Sequence, residues 1–139
     1  MMKVQRPLRV ALMDDDFHSL KWNTALCMRD PRTTVVVETE SAETLLAELA
    51  KEAADVVVFD VEFGPDRPDL PELPELLKAV RKAAPEAALV CLSQYGGRDM
   101  AATALKHGAR GILLKKEVRM ALVSALATAH REPLVVTPG

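Results

Sequence analysis

Five short apolar runs punctuate the chain: Leu8–Met13, Val35–Val37, Val56–Phe59, Ala88–Leu92 and Ile112–Leu114. They are mostly continuous rather than alternating, and rich in Val, Leu and Ile. Strands covered on both faces read this way, as in a parallel sheet with helices above and below. The segments between them carry helical spacing. Ala42, Leu45, Leu46, Leu49 and Ala53 share one face, with Ser41 placed as N-cap. Leu73, Leu76, Leu77, Val80 and Ala84 repeat the pattern and end at Pro85. Phe17, Leu20, Thr24 and Cys27 give a weaker first helix. Ala101, Ala104 and Leu105 give another, stopped by Gly108, and Val118, Leu122, Ala125, Leu126 and Ala129 the last.

Strict alternation of this kind predicts an α/β fold: a doubly wound five-stranded parallel sheet, flavodoxin-like (βα)5, with right-handed crossovers. Strand order 2-1-3-4-5 is the commonest solution for five strands. One connection is irregular, because Gly64–Pro74 holds Pro65, Pro68, Pro71 and Pro74. It is expected to be stiff and partly extended before its helix begins.

Composition narrows the class. At 139 residues, 49% hydrophobic and 27% charged, the chain fits one globular domain, with a core over about 8–130 and a tail or linker over 131–139. No apolar run reaches the length of a membrane span, and the basic start leads straight into a strand, so a cytoplasmic protein is expected. A net charge of −2 gives no reason to expect nucleic-acid contact. Cys27 and Cys91 sit inside apolar patterns and read as buried reduced thiols.

In an open α/β sheet, ligands gather beyond the carboxyl ends of the strands, at the point where strand order reverses. The first strand delivers Asp14, Asp15 and Asp16 to that edge, the third Asp60, the fourth Ser93, and the fifth Lys115 and Lys116. Order 2-1-3 makes Asp14 and Asp15 converge on Asp60. Converging carboxylates repel one another, and a hard divalent cation such as Mg²⁺ relieves them. An aspartate nucleophile, a divalent ion, an ammonium and a hydroxyl are what phosphoryl transfer needs. Each piece also has a plain reading: an acidic run after a strand is often a turn with a helix N-cap, and a lysine at a strand end is often solvated. Four agreeing strand ends carry the inference; no single residue does. Trp22 reads as packing or partner surface, and His18, His107 and His130 as surface residues.

These residues resemble the receiver domain of two-component response regulators, from Leu8 to about Ala129. Val10–Asp16 is similar to that family's first strand and acidic pair, Asp55–Asp60 to the strand ending in the phosphoacceptor, and Ala88–Ser93 to the strand with the switch hydroxyl. His107–Lys115 is similar to its G-A-x-G-[YF]-[LI]-[LV]-K stretch. The resemblance implies that Asp60 accepts a phosphoryl group from a sensor histidine kinase. It implies Mg²⁺ held by Asp14, Asp15, Asp60 and the backbone carbonyl of Glu62, with Ser93 and Lys115 contacting the acquired group. It implies a switch rather than an enzyme, one that phosphorylates and dephosphorylates only itself and changes a partner or dimer surface. The Leu-Leu-Lys ending and Pro133–Pro138 resemble receivers that precede a helix-turn-helix output domain regulating transcription. No such domain follows here, so a part of a longer regulator and a single-domain one both stay open.

The chain departs from the family pattern at four places. Ile112 stands where an aromatic residue usually couples to the hydroxyl, and Gln94 is bulkier than the usual small residue. Glu62 and Tyr95 lie beside the site, and the Pro-rich loop is longer than usual. Gln94, Ile112 and the loop favour an alternative, a degenerate receiver acting as a phosphorylation-independent interaction module, which the complete acidic set with Lys115 opposes. A phosphatase of the haloacid-dehalogenase kind is a further alternative, using the D-x-D within Asp14–Asp16. It leaves Asp60 without a role, and only Glu117 and Glu132 follow Lys115 where an acidic pair is needed.

Overall fold

The computed structural model describes residues 6–60, 72–93, 106, 108–114, 121–131 and 135–136. The described elements are β1 (Leu8–Asp14), α1 (Phe17–Arg29), β2 (Thr33–Thr39), α2 (Ala42–Leu49), β3 (Val56–Asp60), α3 (Leu73–Ala83), β4 (Ala88–Ser93), β5 (Ala109–Leu114), α4 (Leu122–Arg131) and β6 (Val135–Val136). The helix expected over Ala101–Leu105 and the start of the last helix at Val118 lie outside the described residues.

All described pairings are parallel, and the order is β2-β1-β3-β4-β5-β6. The expected 2-1-3-4-5 core is present. A short sixth strand from the segment expected to be tail adds to the β5 edge, Gly111 opposite Val135 and Ile112 opposite Val136.

Side-chain alternation along the strands sorts the interior into two cores. Ala11, Met13, Val57, Phe59, Leu89 and Cys91 pack toward α2 and α3, around Leu45, Leu76, Leu77 and Val80. Val10, Leu12, Val56, Val58, Ala88, Val90 and Leu92 pack toward α1 and α4, around Leu20, Cys27, Leu122 and Leu126. Because each strand feeds both cores, β3 and β4 must be apolar at successive positions, which explains their continuous runs. Full burial of a leucine such as Leu77 contributes about 2 kcal/mol.

The helix boundaries have local causes. Ser41 Oγ accepts from the Thr44 N–H at 3.2 Å, the N-cap expected for α2. The helix α3 starts within the proline-dense stretch, because Pro74 sits in its first turn, where a missing N–H breaks no helical bond. Gly108, with φ +96°, supplies the left-handed turn into β5, and its carbonyl accepts from Arg81 at 2.6 Å. Both cysteines are buried and reduced, as their apolar surroundings implied. Among the described residues, no helix is long and apolar enough to cross a membrane.

Candidate functional site

Strands β1 and β3 are neighbours, and their last residues, Asp14 and Asp60, are register partners. Adjacent parallel strands run about 4.8 Å apart, so two acidic residues are anchored side by side on the rim. The three consecutive aspartates then divide by burial. Asp14 is only 1% exposed, Asp15 is half-buried and Asp16 is exposed.

Their hydrogen bonds separate them further. Asp14 Oδ1 accepts from the Asp16 N–H at 2.8 Å, which fixes the turn leaving the strand. Asp16 Oδ1 accepts from the N–H groups of His18 and Ser19, at 2.9 and 3.4 Å, and caps α1. The plain reading of the acidic run therefore holds for Asp16. Asp14 and Asp15 stand at the strand end itself, with carboxylate oxygens of the kind that hard divalent cations prefer. Among the described residues, no three His, Cys, Asp or Glu side chains assemble that could hold a metal.

Ser93 ends β4 and stands opposite Leu114, the last residue of β5. The fourth strand thus delivers its hydroxyl residue to the rim that bears Asp14 and Asp60, with one strand between it and β1. Lys115 follows β5 directly in sequence. Lys115, Lys116, Glu62, Gln94, Tyr95 and most of the Pro-rich loop lie outside the described residues.

Beside the rim, Lys21 pairs with Glu38 at 2.5 Å and sits 5.4 Å from the centre of the Phe17 ring. The ammonium holds the Glu38 carboxyl below its usual range, chiefly through that hydrogen bond. Trp22 is half-exposed on α1, surface rather than interior, and His18 is exposed as expected.

A doubly wound parallel sheet whose neighbouring strands β1 and β3 both end in an acidic residue at the carboxyl rim defines an α/β protein with its site at the switch point. The model of the response regulator receiver domain matches residues 10–127, and the chain belongs to that family. No curated protein sequence matches it. Solved structures of response regulators share the fold. A LuxR-family regulator from Aurantimonas sp. SI85-9A1 is 23% identical, with TM-score 0.81, over 95% of this chain and 91% of that one. The isolated receiver domain of RcsB from Salmonella enterica serovar Typhimurium, in the presence of the phosphomimetic BeF3⁻, is 21% identical, with TM-score 0.78, over 94% of each chain. A longer RcsB chain from Salmonella typhimurium is 22% identical, with TM-score 0.79, over 96% of this chain. The present chain spans only 64% of that longer RcsB chain.

Proposed function

We propose that this receiver domain is a phosphorylation-dependent switch with Asp60 as phosphoacceptor. The carrying observation is the register pairing of Asp14 with Asp60 at the ends of the neighbouring strands β1 and β3. In this reading a carboxylate oxygen of Asp60 attacks the phosphorus of a phosphohistidine on a sensor histidine kinase. The P–N bond breaks, the imidazole keeps the electron pair and takes up a proton, and an acyl phosphate forms on Asp60.

Asp14, Asp15, Asp60 and the backbone carbonyl of Glu62 would hold Mg²⁺. Bound there, the ion supplies positive charge to the transferring oxygens. Asp14 has a second task, since its bond from the Asp16 N–H fixes the backbone that presents Asp15. Ser93 donates its hydroxyl, and Lys115 its ammonium, to the phosphoryl oxygens once they are in place. The added charge biases a two-state equilibrium of the surface near the fourth and fifth strands, which a kinase, a second copy or an attached output domain reads. The domain works in the cytoplasm as a signalling module rather than as an enzyme turning over a substrate.

Incubation with acetyl phosphate and Mg²⁺, read by intact mass, tests this. One phosphoryl group should be gained by the native chain and none by Asp60→Asn. A native chain that gains nothing would overturn the proposal in favour of the interaction module. Ile112 is the observation on that side: it is 7% exposed and packed in the core at the position where the family carries its aromatic switch residue.

A further inference from the structure

Among the described residues, the edge strand β6 pairs with β5 through Gly111 and Ile112. It is bracketed in sequence by Pro133 and Pro138, which lack the N–H needed to extend the ladder. Proline thus bounds this edge strand on both sides, and it lies on the strand that leads directly into Lys115.

The middle of β5 has little freedom to absorb a shift. A Cβ at Gly111 would stand 3.3 Å from Ala129 Cβ of α4 and 3.4 Å from both γ-carbons of Val90 on β4. Ile112 is buried in the α2 and α3 core. Displacement of β5 is thus passed to its neighbours rather than taken up by side-chain rearrangement.

The strand order fixes the direction. The rim bearing Asp14 and Asp60 lies on the β4 side of β5, and β6 lies on the opposite side. A pull on the carboxyl end of β5 toward the rim is a pull away from β6.

We propose that β6 is a latch, docked on β5 in the unmodified domain and released when a phosphoryl group at the rim draws Lys115, and with it the end of β5, toward β4. This rests on the phosphoacceptor reading above. The signal then leaves through the C-terminal segment itself, with Ile112 as a fixed packing point.

Hydrogen–deuterium exchange of the full chain, followed in peptides covering 109–114 and 133–139, tests the latch, with intact mass reporting modification of the same samples. Without phosphodonor, the 133–139 peptide should exchange at least tenfold more slowly than a free peptide of that sequence. Val136→Pro should abolish this protection and speed exchange in 109–114. Acetyl phosphate with Mg²⁺ should speed both native peptides at least tenfold, and Asp60→Asn should prevent it. Free-peptide rates in the unmodified native chain would overturn the latch at once. Full modification with unchanged exchange would overturn the latch and leave the phosphoacceptor reading standing. Absence of modification would remove both.

Discussion

At the amino-terminal rim of the sheet, Arg9 is tied to three residues of the segment before β3. Its backbone N–H donates to Asp55 at 2.9 Å, its Nε to the Ala53 carbonyl at 2.7 Å, and its terminal nitrogen to Glu52 at 2.6 Å. At the carboxyl rim, Asp14 and Asp60 end neighbouring strands with Asp15 next in sequence, so like charges are anchored together. Both rims are made of polar residues at strand ends. One brings opposite charges together across the chain; the other sets acidic residues of neighbouring strands side by side, where a bound cation or an incoming phosphoryl group can engage them. Sites are commonly built at such a cost to stability.

If that contrast is right, mutations at the two rims move stability in opposite directions. The larger effect belongs to the amino-terminal rim. Asp55→Ala leaves the partly buried Arg9 amide without its carboxylate acceptor and should cost about 2 kcal/mol, read from the urea midpoint. A cost near zero would show that this rim does not depend on compensated charge.

At the carboxyl rim the sign reverses. Asp14→Asn keeps an oxygen that can accept from the Asp16 N–H but removes a nearly buried negative charge from beside Asp60. With a chelator present, the variant should be more stable than the native chain by about 1.5 kcal/mol. Added Mg²⁺ should stabilise the native chain and do so much less in the variant. A variant less stable than the native chain in chelator would mean that the carboxylates are not in conflict.

This contrast was only half legible in the sequence. The strand order and both helical layers followed from apolar runs such as Val56–Phe59, because a strand feeding two cores leaves no alternation to misread. Ser41 was legible as a cap because a hydroxyl directly before an apolar-periodic stretch has few other uses. The division of labour within Asp14–Asp16 was not, since three identical residues differ only in where the strand stops. The strand exits at Asp14, so its side chain is buried while Asp16 turns to cap α1. Nor was β6 legible: two valines between prolines look like a linker until the β5 edge beside them is known to need a partner. Arg81 was equally silent, because its 2.6 Å bond to the Gly108 carbonyl spans 27 positions and leaves no local pattern.

The smallest effect concerns the two thiols between the rims. Burial pushes Cys91 up to about 12 and Cys27 up to about 11, from an ordinary value of 9.0. In the unfolded chain both thiols lose their protons near pH 9, while the folded chain keeps them. Above that pH the folded state binds more protons, so stability is intact below pH 9 and falls as pH rises toward 11 and 12. For Cys91, which lies in β4 opposite Phe59 and Ile112, the loss between pH 8 and pH 10 should be about 1 kcal/mol. Cys91→Ala should be less stable at neutral pH because of the space it leaves, yet it should lose less over that interval than the native chain. Urea midpoints at the two pH values separate these effects, since the cavity shifts both equally and the thiol only their difference. Equal losses in variant and native chain would mean that Cys91 ionises as readily folded as unfolded. The apolar layer beneath the acidic rim would then be open to water, and the carboxylates of that rim would be held together far less tightly than the contrast with Arg9 requires.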